Sequence, residues 1–296
     1  MPAKIGVIDA DASIPASLRR TASIASIHAD FTAPVLNVRE LWAYREVLYA
    51  LVWRDIKVRY AQTVVGVGWV VLQPVLTTAV LTLLAGRWMR APAQGLSYSL
   101  FAYSGLVPWI YFTHVLTKSS VCLLSNNGLL SKAYFPRLLL PLSTAIAGLV
   151  DLFVTIVILG LLMIYHGTAG GFRLLLLPCC LLLLIMVAIG TGIWIAVLNL
   201  YHRDVAHALP FATQLVFFMT PIAYPSSLVP QSWRLLYSLN PMVGVIACFR
   251  WALFASPLDI SLLQLTASMM AAVVLVVSGL FYFSRKERIL ADVGIV

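Results

Sequence analysis

The sequence predicts an all-α integral membrane protein of six transmembrane helices. An interfacial helix precedes the first span on the cytoplasmic side, and short re-entrant helices lie on the outer side between spans five and six. Three observations carry this. Of 296 residues, 61% are hydrophobic and 10% charged, where a soluble domain carries about 25% charged residues. Mean hydropathy is +0.94, so the chain lacks the polar surface a soluble fold of this size needs. Long stretches free of Asp, Glu, Lys and Arg recur along the chain, each exceeding the roughly 20 residues that cross a bilayer.

Those stretches place the spans at 60–86, 91–117, 138–172 (interrupted by Asp151), 174–202, 205–233 and 260–284. A further apolar run, 235–249, is too short to cross and is broken by Asn240-Pro241, so it is expected to dip in and return. An even number of spans puts both termini on one side. Arg87, Arg90, Arg173, Arg234 and Arg250 fall on the other side, and the remaining fifteen of twenty basic residues accompany the termini. The positive-inside rule therefore makes the termini cytoplasmic. The net charge of +9 reads as orientation and headgroup contact rather than nucleic-acid binding.

The expected organisation is a mobile tail over 1–36, an amphipathic helix over 37–60, a transmembrane domain over 61–284 and a cytoplasmic tail over 285–296. No cleavable signal peptide is expected, because the first 59 residues hold no suitable apolar stretch. In the amphipathic helix Leu41, Tyr44, Leu48, Leu51 and Val52 share a face opposite Arg39, Glu46 and Lys57, which suits a helix lying on the membrane surface. Asp55 and Arg59 stand four apart, in the favourable order for an ion pair.

The loops differ by side. Cytoplasmic loop 118–137 holds the turn cluster Asn126-Asn127-Gly128, a short helical piece and a Pro136 stop. Outer region 221–256 is long, aromatic and punctuated by prolines. Asp151 is the sole acid within a span; an intramembrane acid is either functional or bound across helices by a hydrogen bond, and a lone one fits the second role better. Cys122, Cys179, Cys180 and Cys248 lack metal-site spacing and are expected to pack as small hydrophobes. No phosphate-cradling G-x-x-x-x-G-K-[ST], H-E-x-x-H or G-x-S-x-G occurs. The chain thus reads as a passage with no catalytic residues, metal or cofactor of its own, against the rival of a membrane-embedded glycosyl- or acyltransferase.

Four segments carry a resemblance. Arg54–Leu76 shows R-D-x-x-x-R-Y, G-x-x-W and Q-P through Arg54, Asp55, Arg59, Tyr60, Gly66, Trp69, Gln73 and Pro74. Val107–Ser143 holds P-W-x-Y-F followed by S-N-x-x-L-L-x-K-x-Y-F-P-R. Leu198–Phe211 holds R-D-x-x-x-x-L-P, and Thr220–Leu253 holds T-P-I-x-Y-P, N-P-M and F-R. Together these resemble the permease subunit of ABC-2 type polysaccharide exporters, the family that exports O-antigen and teichoic acid, over residues 40–285.

The resemblance implies a bacterial inner-membrane homodimer with the channel between its two copies. Two separate nucleotide-binding subunits would carry Mg-ATP, and the cargo would be an undecaprenyl-linked polysaccharide, O-antigen first and capsule or teichoic acid next. It implies a coupling helix formed by Ser125, Asn126, Asn127, Gly128, Leu129, Leu130, Lys132 and Tyr134. Arg54, Asp55, Lys57, Arg59 and Tyr60 would belong to a gate helix. Outer gate helices would hold Trp233, Tyr237, Asn240, Pro241, Arg250 and Trp251. Arg54, Lys57 and Arg59 would meet either a carrier diphosphate or lipid headgroups. Sugars stack on rings, so Tyr98, Phe101, Tyr103, Trp109, Tyr111, Phe112, Phe217, Phe218 and Tyr224 are candidates for the channel or for an interfacial belt.

Overall fold

The computed structural model describes residues 38–61, 68–130, 135–168, 170–254 and 260–292. Of the sequence assignments, the tail over 1–36 lies outside these residues, as do Lys132 and Tyr134. The amphipathic stretch folds as α1 (Val38–Ala43) and α2 (Arg45–Tyr60), broken at Tyr44. Then follow α3 (Gly68–Leu81), continued by a π-helical segment Thr82–Trp88, and α4 (Tyr98–Ser125). The single turn α5 (Asn127–Leu130) leads to α6 (Leu139–Tyr165), and α7 (Leu177–Tyr201) follows a short 3-10 turn. α8 (Asp204–Phe218), α9 (Arg234–Tyr237), α10 (Pro241–Phe254) and α11 (Leu262–Asp292) complete the order. The last helix thus runs beyond the expected span limit at residue 284.

α4 is the axis of the fold. Its sequence is apolar nearly all round, the mark of a helix enclosed by others, and Leu100, Phe101, Tyr103, Leu106, Val107 and Val115 are fully buried. α6 and α7 pack along it, α11 packs along α7, and α10 lies across α4, α7 and α11. α3 and α8 each lean on α4 and leave most of their surface outward.

Lipid tails are as apolar as leucine, so helix pairing here rests on close fit and interhelical polar contacts. Ser119 on α4 bonds Thr144 on α6 at 3.0 Å. Trp194 of α7 donates to the Ser278 hydroxyl at 3.0 Å and stacks on Tyr282, with centroids 4.6 Å apart. Cys122 and Cys180 are buried as expected of small hydrophobes, Cys248 is half-buried, and Cys179 is exposed.

Among the described residues, four helices are long and apolar enough to cross a membrane: Gly68–Trp88, Leu139–Tyr165, Phe172–Tyr201 and Leu262–Lys286. They fall on expected spans one, three, four and six. α4, in the place of span two, has 28 residues, about 42 Å at 1.5 Å per residue. Span five is corrected. α8 has 15 residues, about 22 Å, and the chain then turns at Thr220-Pro221. Hydropathy alone carries the expectation through that break, since the residues beyond it are equally apolar.

The expected re-entrant run is a bent pair, Gln231–Tyr237 and Pro241–Phe254, meeting at 99°. The bend has a local cause. The Asn240 side-chain oxygen accepts the Met242 amide at 3.0 Å, capping α10, and Pro241 takes the first helical position, where its missing N–H costs nothing.

Candidate functional site

Three regions bring the sequence candidates together. The first is the turn at the C-terminal end of α4. Ser125 and Asn126 close that helix: the Asn126 amide donates to the Cys122 carbonyl at 2.7 Å and the Ser125 hydroxyl to the same carbonyl at 3.4 Å. Asn127, Gly128, Leu129 and Leu130 then form α5. A Cβ added at Gly128 would meet nothing among the described residues within 4 Å, and Leu129 is exposed.

The second region is α1 and α2. The stripe of Leu41, Tyr44, Leu48 and Leu51 packs into a cluster with Cys122, Leu123, Leu138 and Leu139, so this stripe meets protein. The face left outward is aromatic: Trp42, Tyr49 and Trp53 are 71%, 71% and 59% exposed. The expected Asp55–Arg59 pair is corrected. Asp55 pairs with Arg54 at 2.9 Å and accepts from the Ser143 hydroxyl at 3.3 Å. Arg59 instead forms an ion pair with Asp151, whose other oxygen accepts the Tyr60 hydroxyl. A half-buried acid in a low-dielectric setting attracts a cation more strongly than one near water, so the tertiary partner prevails over the local one.

Arg59 also donates to the His114 ring at 2.9 Å, and Arg54 reaches the Asn126 side-chain oxygen at 2.8 Å. Lys57 is exposed. Asp151 is therefore a bound carboxylate, as the interhelical reading expected, with its partners on α2.

The third region is the bent hairpin of α9 and α10. Arg250 is 5% exposed, and its guanidinium donates to the carbonyls of Phe101 (3.0 Å), Pro221 (2.8 Å) and Ile222 (2.9 Å) and to the Ser104 hydroxyl (3.3 Å). It also lies 3.6 Å over the Phe101 ring. Gly105 is required there, because a Cβ would stand 2.8 Å from the guanidinium. Tyr98 donates to the Ala223 carbonyl at 2.8 Å, and Asn240 to the Thr220 hydroxyl at 3.0 Å. The broken end of α8 is thus gripped from α4, from the hairpin and from α10. Tyr237 meets Tyr224 at 3.4 Å, Trp251 lies against Arg173 at 5.1 Å, and Trp233 is exposed.

The chain matches the ABC-2 type transporter family over residues 46–254, a stretch that reaches from α2 to the end of α10. It belongs to the ABC-2 type transporter family. Over 253 residues this ABC-2 chain is 29% identical to the O-antigen export system permease protein RfbA of Myxococcus xanthus, covering 84% of the chain and 96% of that relative. It is 27% identical over 252 residues to the Klebsiella pneumoniae protein of the same name, covering 84% and 95%. It is 25% identical over 248 residues to the polysialic acid transport protein KpsM of Escherichia coli, covering 82% and 95%.

Within the ABC-2 fold the aromatic candidates divide. Phe101, Tyr103, Trp109, Tyr111 and Phe112 are sealed in the core of the chain, and Tyr98, Phe217 and Tyr224 are half-buried. Phe218 is 65% exposed. Sequence reasoning missed Phe211, Gln214 and Leu215, which share the exposed face of α8 with Phe218, and the exposure of Gln73 on α3. It also missed Asn199. That side chain is buried, donates to the Ser120 carbonyl at 2.7 Å and accepts the Ala206 amide at 2.9 Å, which fixes the short loop into α8. For Gln73, Gln214 and Asn199 the available signal was a polar residue in an apolar helix.

Proposed function

We propose that this chain is the membrane subunit of an ATP-driven exporter that moves lipid-linked polysaccharide outward, O-antigen being the preferred cargo. Two copies of the chain form the passage, and two copies of a separate ATP-binding subunit supply the energy from Mg-ATP. The protein lies in the bacterial inner membrane with six crossings and both termini cytoplasmic, α4 and the α8–hairpin unit adding two crossings to the four apolar helices. The match to exporters along nearly their whole length supports this reading, and the similarity to a polysialic acid transport protein favours capsule polymer as the second cargo.

The observation that carries the passage between copies is the pair of exposed glutamines, Gln73 on α3 and Gln214 on α8. A side-chain amide turned to hydrocarbon loses its hydrogen bonds at a cost of about 2–7 kcal/mol. These faces therefore look onto water, sugar or the second copy. Phe211 and Phe218 beside Gln214 offer rings for the apolar faces of sugars. Lys57 is an exposed cation near the C-terminal end of α2 and suits a carrier diphosphate, because Arg54 and Arg59 are engaged within the protomer.

The coupling turn gives the test. Gly128 is exposed and an added Cβ meets no described residue within 4 Å, so the effect of Gly128→Trp is expected to fall on what docks there. The purified variant is expected to keep wild-type thermal stability and to lose polysaccharide-stimulated hydrolysis in the ATP-binding partner. Charge reversal at Lys132 is expected to act likewise. Wild-type export by Gly128→Trp would remove the coupling assignment.

A further inference from the structure

Where the bent hairpin meets the head of α11 there is an open cleft of about 490 Å³, within the roughly 300–1,000 Å³ of small-ligand sites. Gln231, Arg234 and Leu235 line one side of it, and Ile260, Ser261, Leu263 and Gln264 the other. The two sides are tied together behind the cleft. Ser268 of α11 donates to the Ser238 carbonyl at 2.7 Å, and Ile260 packs into a cluster with Val243 and Ala247 of α10.

The polar side chains are held with donors left over. Ser261 and Gln264 form a reciprocal capping box at the start of α11. The Gln264 main-chain N–H donates to the Ser261 hydroxyl at 3.3 Å, and the Ser261 N–H donates to the Gln264 side-chain oxygen at 2.7 Å. That second bond commits the oxygen end of the Gln264 amide, so its NH2 is the end left free of the cap. Gln264 is only 8% exposed, and its NH2 has no partner among the described residues. A buried donor of this kind is costly until something accepts from it. Arg234 is fixed in a similar way: its Nε donates to the Val229 carbonyl at 2.8 Å and its Nη2 to the Ser227 carbonyl at 3.0 Å. Its Nη1 meets no acceptor among the described residues.

These groups select a ligand. The cleft offers the Gln264 NH2, the Arg234 guanidinium and the exposed Gln231 amide, and no carboxylate lines it among the described residues. A fixed guanidinium beside amide donors suits an oxyanion. A bare anion would leave Leu235 and Leu263 uncovered, at 53% and 68% exposed, and most of the volume unfilled. A pyranose carrying a carboxylate satisfies every part: its charge faces Arg234, its hydroxyls face the two glutamines, and its C–H face covers the leucines. We propose that this cleft binds an acidic sugar residue of the exported polymer. The inference rests on the exporter reading above, under which this end of the chain faces outward, and it narrows the cargo to polysaccharide that contains such residues.

The test uses the full complex with its ATP-binding partner in phosphatidylcholine nanodiscs, with trigalacturonate as the probe and calorimetry as the readout. Its fully methyl-esterified form, uncharged but otherwise alike, is expected to bind about tenfold more weakly. Gln264→Glu keeps the capping box, since glutamate serves that position as glutamine does, but turns the free donors into a carboxylate. That variant is expected to retain wild-type thermal stability and to bind trigalacturonate about tenfold more weakly. Should it lose stability, Gln231→Glu at an exposed position carries the test, with about threefold weaker binding expected. Asp259, outside the described residues, gives a control: Asp259→Asn is expected to bind within about twofold of wild type.

Absence of binding to the wild type, equal binding of the ester, or equal binding by a folded Gln264→Glu would each overturn the acidic-sugar site. So would binding that appears only in Asp259→Asn, which would make the chain's own acid the occupant. Binding that vanishes when phosphatidylglycerol replaces phosphatidylcholine at about 0.15 M salt would assign the cleft to a lipid headgroup. A chain that recruits no ATP-binding subunit would instead overturn the exporter reading, and the difference between wild type and Gln264→Glu would remain measurable on the chain alone.

Discussion

Arg250→Ala is expected to lower the thermal stability of the detergent-purified chain by roughly 10 °C and to abolish export. The guanidinium supplies the donors for three main-chain carbonyls at the junction of α8 and the hairpin and stacks on Phe101. Each buried acceptor left unsatisfied costs about 1–3 kcal/mol, against a total stability of about 5–15 kcal/mol. Lysine is not a substitute, since a single ammonium cannot cover a cage built around the planar fork of arginine. Arg250→Lys is therefore expected to recover less than half of the loss. Unfolding followed by size-exclusion chromatography over a temperature series measures this, and a change under about 2 °C in Arg250→Ala would contradict it.

Gly190→Leu is expected to prevent assembly of α7 on α11. A Cβ at Gly190 would stand 2.9 Å from the Val276 backbone nitrogen, and one at Gly279 would stand 3.0 Å from the Gly190 carbonyl oxygen. The two backbones touch where neither can move independently, and small residues at such crossings are what lets membrane helices approach. Overfilling a packed site costs about 1–3 kcal/mol where neighbours yield, and more against backbone. Gly160 supplies the control, for it lies in a helix of the same core with nothing within 4 Å of its added carbon. Gly160→Leu is expected to behave as wild type in the same chromatographic assay. Equal behaviour of the two leucine variants would show that the α7–α11 contact is not a stability determinant.

The helices were legible where the sequence speaks locally. Long charge-poor stretches mark α3, α6, α7 and most of α11, and Asn240-Pro241 states both the cap and the first residue of α10. Tertiary partners were not legible. Nothing near Asp55 in sequence says that Arg59 turns to an acid ninety-two positions away, so the four-residue spacing rule gives way to a stronger, drier partner. Burial of the aromatic residues was hidden for a related reason. In a membrane chain a ring facing lipid and a ring facing protein satisfy the same apolar pattern, so Tyr103 and Phe218 look alike in sequence while one is 0% and the other 65% exposed. The break after Phe218 was masked by the apolar residues beyond it, although Thr220-Pro221 was in view.

A passage for carrier-linked polysaccharide is tested most directly by depleting the chain in its native cell. Carrier-linked polymer is then followed by gel and mass analysis in spheroplasts with intact or permeabilised membranes. Full-length polymer that becomes accessible only after permeabilisation is the expected result, and its sugar composition identifies the cargo. Undiminished polymer on the cell surface, or a complete failure to make it, would contradict the account.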